Sequence, residues 1–310
     1  MIRIRTMLLL LATVIGFGAD KPVEPHFLEQ AQPFPVVRDL ALSPEGNEAY
    51  FTVQPPLGEI AVIMVMRQGL FGWKDAEIAS FSGKYTDLEP FLANDGLRLY
   101  FASDRPKKQN KSDDLDFDIW YVERESMDAP WSEPVNMGAP INTEHNEFYP
   151  SLSSSGNLYF TTDRPGTLGK DDILFSALVD GLYLEPMPLD SAINSAGYEF
   201  NAFVAPDESY LIYTAYSRPD GQGSGDLYIS YRDVTGKWSP AKNLGADINS
   251  PKMDYCPFVL NGSLYFTSRR SDIQVAGSGF TELDDLLAEL NKHDNGQSRL
   301  YVTPFKEKSR

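Results

Sequence analysis

The chain has 310 residues, of which 42% are hydrophobic, 12% aromatic and 23% charged. These fractions are those of an ordinary globular protein with a sizeable core, and they exclude an intrinsically disordered chain. The formal net charge of −17 disfavours nucleic acid as a partner, because an acidic surface repels phosphate groups.

The N-terminus has the pattern of a secretory signal peptide. Two arginines precede an apolar run that ends at Phe17, and Gly18 follows as a small residue suited to cleavage. A membrane anchor is the alternative, but the run is shorter than the roughly 20 apolar residues that span a bilayer. We therefore expect residues 1–18 to be removed, which leaves residues 19–310 as a periplasmic or secreted single domain without a stable membrane span.

A segment of about fifty residues recurs five times after the leader. Each copy contains an apolar stretch such as LYFAS or LYFTT, preceded by a strand and a turn rich in Asn, Asp, Gly and Ser. A third strand such as DIWYVE follows, and an element such as WSEPVNMGAPIN closes the copy, so that a complete copy supplies four strands. The anchors of the apolar stretches are Tyr50, Tyr100, Tyr159, Ile212 and Tyr265.

A four-stranded sheet exposes two apolar faces, and such repeats become stable when they stack around an axis. We therefore predict an all-β fold, a five-bladed β-propeller of four-stranded antiparallel blades, with the copied Tyr-Phe pairs packed between blades. The alternative count is six. The last copy lacks a fourth strand, so we expect an N-terminal strand within residues 27–37 to close the ring. The predicted blades cover residues 36–82, 83–142, 143–194, 195–249 and 250–305.

One insertion, FTELDDLLAELNKHDNG, interrupts the last copy between its second and third strands. Thr281 stands where a helix N-cap is expected, and Asn295-Gly296 where the helix would end. We predict a short helical insertion on the channel-mouth face, whose apolar stripe either packs on the propeller or covers the funnel or meets a partner protein. The stripe consists of Leu283, Leu286, Leu287 and Leu290.

The combined pattern, an acid three residues before proline, LYFxSDRP and WxxPxNLGxxIN, resembles the WD40-like periplasmic propeller repeat (PD40) found in TolB. The resemblance covers roughly residues 36–305 and implies a propeller in an exported protein. Departures occur in the first copy, which has TVQPP in place of SDRP, in the third, where Tyr183 replaces tryptophan, and in the last, where RRS at residues 269–271 replaces Asp-Arg-Pro.

Two sets of charged residues recur at fixed places in four of the copies, and both should lie at the mouth of the central channel. One interpretation is a salt bridge in each blade, which repetition favours. The other is a polar funnel that binds a cation, a peptide terminus or a sugar. The acids are Asp87, Glu147, Glu199 and Asp254, and the arginines are Arg105, Arg164, Arg218 and Arg270.

The sequence offers little for catalysis or metal binding. Paired-carboxylate catalysis needs two acids in different environments, whereas these four acids are equivalent. The loop KSDDLDFDIW places Asp114, Asp116 and Asp118 at alternate positions, but it lacks the glycine and glutamate of an EF-hand, so a solvated acidic loop is favoured. We predict no cofactor and no metal.

These observations predict an exported, non-catalytic binding or scaffolding module. Its partner would be an envelope protein or peptide, contacted through the channel-mouth face. The alternative is a glycoside hydrolase or carbohydrate-binding propeller that uses carboxylates in the central funnel, since five-bladed propellers also house glycosidases.

Overall fold

The computed structural model describes residues 23–107, 116–275, 277 and 279–306. The expected signal peptide and Asp114 of the acidic loop lie outside these residues. The described residues form five antiparallel blades whose inner strands contact one another in a closed circle. The predicted five-bladed β-propeller of four-stranded sheets is therefore confirmed.

Each blade runs from a long inner strand at the axis to a short outer strand. The chain begins with β1 (Glu24–Pro25) and α1 (Leu28–Ala31), and blade 1 contains β2 (Val36–Leu42), β3 (Glu48–Gln54), β4 (Val62–Gly69), β5 (Gly72–Trp73) and β6 (Glu77–Ile78). Blade 2 contains β7 (Asp87–Leu92), β8 (Arg98–Ser103), β9 (Asp118–Glu123) and β10 (Val135–Asn136).

Blades 3 and 4 follow the same order. Blade 3 contains β11 (Glu147–Leu152), β12 (Leu158–Thr162), β13 (Asp172–Ser176), the hairpin β14 (Leu178–Val179) and β15 (Leu182–Tyr183), and β16 (Met187–Pro188). Blade 4 contains β17 (Glu199–Val204), β18 (Tyr210–Tyr216), β19 (Gly225–Tyr231) and β20 (Lys242–Asn243). Blade 5 contains β21 (Asp254–Leu260), β22 (Ser263–Ser268), α2 (Leu283–Leu290) and β23 (Arg299–Pro304).

The N-terminal strand closes the ring, as predicted. Strand β1 pairs antiparallel with β23, with Glu24 opposite Val302. We expected the closing strand within residues 27–37, and it lies just before them. Those residues instead form α1 and the start of β2, because Pro33 and Pro35 have no backbone N–H to donate to a ladder.

The copied aromatic pairs pack between blades, which confirms their predicted role in the architecture. Tyr50 of blade 1 and Phe101 of blade 2 share one buried cluster, and Tyr100 and Phe160 share the equivalent cluster between blades 2 and 3. The large residue that opens the outer strand also contacts the preceding blade: Trp131 Nε1 donates a hydrogen bond of 3.0 Å to the Tyr50 hydroxyl.

The propeller has two distinct faces. We call the face where the inner strands begin the rim face, and the face where they end the floor face. In an antiparallel blade, the loop from the second to the third strand returns to the rim face. The insertion that carries α2 connects β22 to β23 and therefore lies on the rim face.

Helix α2 differs from its prediction in both caps. It begins at Leu283 after Glu282, with no side-chain cap from Thr281, and it ends at Leu290, before Asn295. None of its residues is fully buried. Leu286 is half-buried and the other three leucines of the stripe are exposed, so most of the stripe does not pack on the propeller. Within the described residues, neither helix has the length and apolar composition needed to cross a membrane.

Candidate functional site

The eight charged residues predicted at the channel mouth form four ion pairs, each within a single blade. The shortest pair joins Arg105 to Asp87 of blade 2. The other Nη2-to-carboxylate distances are 3.6 Å for Arg164 and Glu147, 2.9 Å for Arg218 and Glu199, and 3.2 Å for Arg270 and Asp254. Blade 1 has Val37 in place of the acid and has no such pair.

Each rim carboxylate is also held by the connection that enters its inner strand. Glu199 accepts hydrogen bonds of 2.7 Å from both the backbone N–H and the hydroxyl of Ser195. Ser250 makes the same two contacts to Asp254, at 2.6 and 2.8 Å. Burial raises the pKa of Glu147 in spite of its bonds to Thr143.

Each rim arginine also donates a hydrogen bond to a backbone carbonyl of the connection that enters the inner strand. Arg218 Nη2 donates to the carbonyl of Ile193 at 2.6 Å, and Arg164 Nη2 donates to Ile141 at 3.0 Å. The next residue along the chain, an asparagine, bonds to the third strand: Asn194 Oδ1 accepts from Ile173 N–H at 3.0 Å. The four pairs thus pin one blade to the connection that leads into it.

The pairs stay separate from one another. Across the part of the chain that the structure describes, no ion pair joins the rim acid of one blade to the rim arginine of another. The carboxylates are buried, while Arg164, Arg218 and Arg270 keep a partly exposed side chain. The geometry therefore shows that these residues hold each blade together, and the prediction that they also contact a ligand stays a prediction.

A second set of residues, which the sequence analysis missed, lies at the axis. Each inner strand contains a β-bulge whose residue has a positive φ angle. Non-glycine residues avoid this left-handed conformation, which costs on the order of 1–3 kcal/mol each. The five residues, one from each blade in chain order, are Asp39, Glu89, Tyr149, Asn201 and Cys256.

The axial residues are buried and join all five blades in one hydrogen-bonded network, which we call the axial network. Arg38 lies at its centre and donates to Asp39 at 2.6 Å and to Glu89 at 2.9 Å. Glu89 also accepts from the backbone N–H of Tyr149 at 2.8 Å and from Asn201 Nδ2 at 3.3 Å.

Cys256 completes the axial network from blade 5. It is buried, but its surroundings are polar: its thiol donates to Asp39 Oδ1 at 2.7 Å and lies 3.7 Å from Arg38 Nη2. Burial raises the pKa of the Cys256 thiol well above its usual value, which keeps the sulfur protonated. Tyr149 closes the circle by donating to the carbonyl of Pro257 at 3.0 Å.

The two axial acids have different environments. Burial raises the pKa of Glu89 to about 7, although the Arg38 guanidinium opposes that shift. Asp39 Oδ1 accepts hydrogen bonds from both Arg38 and Cys256, whereas Asp39 Oδ2 is buried without a hydrogen-bond partner among the described residues.

Threonines of the second strands support the axial residues. Thr52 Oγ1 in blade 1 accepts the N–H of Glu89 in blade 2 at 3.2 Å, and Thr161 serves Asn201 in the same way at 3.2 Å. Blade 2 has Ala102 at this position, and there the Glu89 carboxylate takes the N–H of Tyr149 instead. The axial acid therefore replaces a missing hydroxyl group.

A sequence signal for the axial network exists in hindsight. The column two residues after the rim acid has a different residue in every copy, since it reads Asp, Glu, Tyr, Asn and Cys. Repetition with one divergent column indicates that the position does more than build the blade. The rim columns are conspicuous because they repeat, and repetition marks architecture.

The remaining polar candidates have structural partners. Lys107 contacts Asp116 at 3.1 Å and Asp118 at 3.2 Å, and Asn136 bonds to Asp118 as well. No group of three or more His, Cys, Asp or Glu side chains in the described ranges has the arrangement of a metal site. His26 packs against Phe27, and burial lowers the pKa of His26 to about 4.

Apolar side chains are exposed on the rim face. Along α2, 68% of Leu283, 42% of Leu287 and 53% of Leu290 is exposed. The rim loop of blade 1 adds Leu57 and Ile60, which are also exposed. Exposed leucines grouped on one face of a helix are typical of a surface that contacts another molecule.

No family model and no curated protein matches the chain. An α-L-arabinofuranosidase from Podospora anserina, solved in complex with cellotriose, has a TM-score of 0.55 at 9% identity, over 93% of this chain and 95% of that chain. The endo-arabinase from Bacteroides thetaiotaomicron has a TM-score of 0.53 at 14% identity, over 88% and 95% of the two chains.

TolB from Acinetobacter baumannii has a TM-score of 0.44 at 13% identity, over 86% of this chain and 54% of that chain. The protein thus spans about half the length of that TolB chain. Likeness at these identities shows the propeller fold alone, and the resemblance of the repeats to the PD40 family stays a prediction.

Proposed function

We propose that the protein is an exported, non-catalytic binding module that contacts a partner protein of the cell envelope with its rim face. The observation that carries this proposal is the exposed leucine stripe of α2, which stands on the rim face and buries none of its residues. Leu57 and Ile60 extend the apolar surface of the same face.

Charge complementarity indicates the chemistry of the partner. The exposed carboxylates of Glu282, Asp284 and Asp285 flank the leucine stripe, in a chain with a net charge of −17. The matching surface is an apolar ridge with lysine or arginine at its sides, because opposite charges speed the encounter and fix the orientation. The rim arginines Arg164, Arg218 and Arg270 contribute polar contacts around it.

The experiment compares two double variants with the wild-type chain. Leu283→Glu with Leu287→Glu places charges in the stripe, and Leu70→Glu with Phe71→Glu places the same charges in an exposed turn between β4 and β5 on the floor face. We expect the wild type and the Leu70→Glu, Phe71→Glu variant to capture a partner protein from an envelope extract, and the Leu283→Glu, Leu287→Glu variant to fail to capture it. Equal capture by both variants would contradict the proposal.

A second candidate function, hydrolysis of a carbohydrate, is favoured by a different observation. Asp39 and Glu89 are adjacent acids in unequal environments, which is the arrangement that paired-carboxylate hydrolysis needs. Arg38 forms ion pairs with both carboxylates. Because these pairs occupy the two acids, they favour the binding module over the hydrolase.

Turnover separates the two candidates. Hydrolysis of a nitrophenyl arabinofuranoside by the wild-type chain, lost in a folded Glu89→Gln variant, would establish the enzyme. We expect neither protein to turn the substrate over.

A further inference from the structure

A cavity of about 620 Å³ lies on the rim face at the seam where the ring closes. The segment around α1 forms one wall, and the residues that follow α2 form the other. Its volume lies within the range of about 300–1,000 Å³ that is typical of small-molecule sites. Its polar lining includes Gln32, Asn291, His293, Asn295 and Arg299.

Arg299 reverses the charge that the repeat places at this position. The equivalent position at the start of the third strand is an aspartate in blades 2, 3 and 4, namely Asp118, Asp172 and Asp226. Asp172, for example, accepts the N–H of Gly169 at 3.0 Å. In blade 5, Arg299 Nη1 instead donates to the carbonyls of Phe34 at 3.1 Å and Pro35 at 2.8 Å. The arginine therefore holds the segment that closes the ring.

Arg299 is buried, with only 8% of the residue exposed. Its cation nevertheless forms no ion pair with a carboxylate among the described residues. The buried arginines elsewhere, Arg105 and Arg124, are paired with Asp87 and Glu48. A buried charge without a counter-ion is costly, and burial lowers the pKa of Arg299. The cavity wall thus offers a positive charge that forms no ion pair with a carboxylate among the described residues.

His293 adds a second unsatisfied group. Its Nε2 atom is buried and has no hydrogen-bond partner among the described residues. His293 and Arg299 line the same cavity. The other charges of the cavity do not compensate Arg299: Lys292 contacts Glu289 at 2.8 Å, and the exposed Glu29 makes no ion pair in the described ranges.

We infer that this cavity binds the carboxylate of a small polyhydroxylated acid. Arg299 and His293 contact the carboxylate, since an arginine guanidinium matches the geometry of a planar anion. The side-chain amides of Gln32 and Asn291 offer donors and acceptors to the hydroxyl groups. The site is independent of the leucine stripe and of its protein partner.

Titration of the full chain with glucuronate, followed by calorimetry and NMR, tests the inference. Glucose is the neutral control, because it carries the same hydroxyl pattern without the carboxylate. We expect glucuronate to saturate the protein and glucose to bind at least tenfold more weakly. Equal binding of the two sugars would overturn the inference.

Variants locate the site. We expect His293→Ala and Arg299→Gln each to weaken glucuronate binding at least tenfold, and Arg67→Gln, an exposed arginine at the end of β4, to leave it unchanged. Should Arg299→Gln fail to fold, His293→Ala decides, because it leaves the Arg299 bonds to Phe34 and Pro35 in place. Glucuronate binding that is unchanged in His293→Ala would overturn the inference.

Discussion

Arg38 Nη2 lies 2.9 Å from Glu89 Oε1, and this ion pair joins the inner strands of blades 1 and 2 at the propeller axis. Arg38 also pairs with Asp39, so that one cation serves two buried carboxylates. Because both acids are almost fully buried, the arginine determines whether their charges are tolerated.

Replacement of Arg38 by methionine should therefore destabilise the whole propeller. We expect the free energy of unfolding to fall by about 3–5 kcal/mol, since two buried charges lose their partner. Urea unfolding measures the change. Arg67→Met is the control, because Arg67 is half exposed and its pair with Glu48 is worth about 0–1 kcal/mol. Equal losses in the two variants would argue against a central role for Arg38.

The stability contributed by Glu89 should depend on pH. Burial raises the pKa of Glu89 to about 7 from the ordinary value of 4.5, so the folded state holds the proton more tightly than the unfolded state. This contribution is complete below about pH 4.5 and is lost as the pH rises through about 7. We expect the wild type to lose stability relative to Glu89→Gln over that window, as measured by urea unfolding at several pH values.

The comparison of the two proteins removes other titrating groups. Burial lowers the pKa of His26 to about 4, which gives the opposite pH dependence, but His26 is present in both proteins and cancels in the difference. A difference in stability that stays constant from pH 4.5 to 7 would show that Glu89 does not titrate in this range.

The rim pairs should contribute to stability. In Glu199→Gln, the Arg218 guanidinium and the Ser195 N–H lose a charged acceptor in a buried setting. We expect a loss of about 1–3 kcal/mol in thermal or urea unfolding. Glu185→Gln, which changes an exposed acid between β15 and β16 of blade 3, should have little effect. Unchanged stability of Glu199→Gln would leave ligand contact as the reason for the acid.

Gly223 lies too close to the next blade for any side chain. A Cβ atom at this position would lie 1.8 Å from the Lys252 carbonyl oxygen and 2.6 Å from that of Ser250, so backbone would have to move. We expect Gly223→Ala to cost about 1–3 kcal/mol or more. Gly277→Ala is the matched control, because its Cβ meets nothing within 4 Å. Scanning calorimetry of both variants checks the prediction.

Closure of the ring should depend on Phe27 next to β1. Phe27 is buried, with its ring centroid 5.0 Å from that of Trp73 in blade 1. We expect Phe27→Ala to lower the free energy of unfolding by about 3–5 kcal/mol, because removing the ring leaves an empty space where the first and last blades meet. The neighbouring Leu28 is 54% exposed, and Leu28→Ala should leave the melting temperature unchanged. Similar melting temperatures for both variants would place the closing contacts elsewhere.

The rim pairs were predictable because each is local. Asp87 and Arg105 lie 18 positions apart in one blade, and the pairs of later copies have similar separations of 17, 19 and 16 positions, so the pairing follows from the repeat. The helix α2 was predictable as an element, but its contacts were not. A periodic leucine stripe predicts an apolar face and does not specify whether that face is covered.

The sequence by itself favoured five blades over six, and it determined their four-stranded order and the packing of Tyr50 against its neighbouring blade, because these features depend on periodicity and on contacts between adjacent copies. Only the tertiary structure decided what meets at the axis and at the seam. Asp39 reaches Cys256 across 217 positions, and Arg299 reaches Phe34 across 265. Closing the ring brings such residues together, and no local pattern in the chain encodes that proximity.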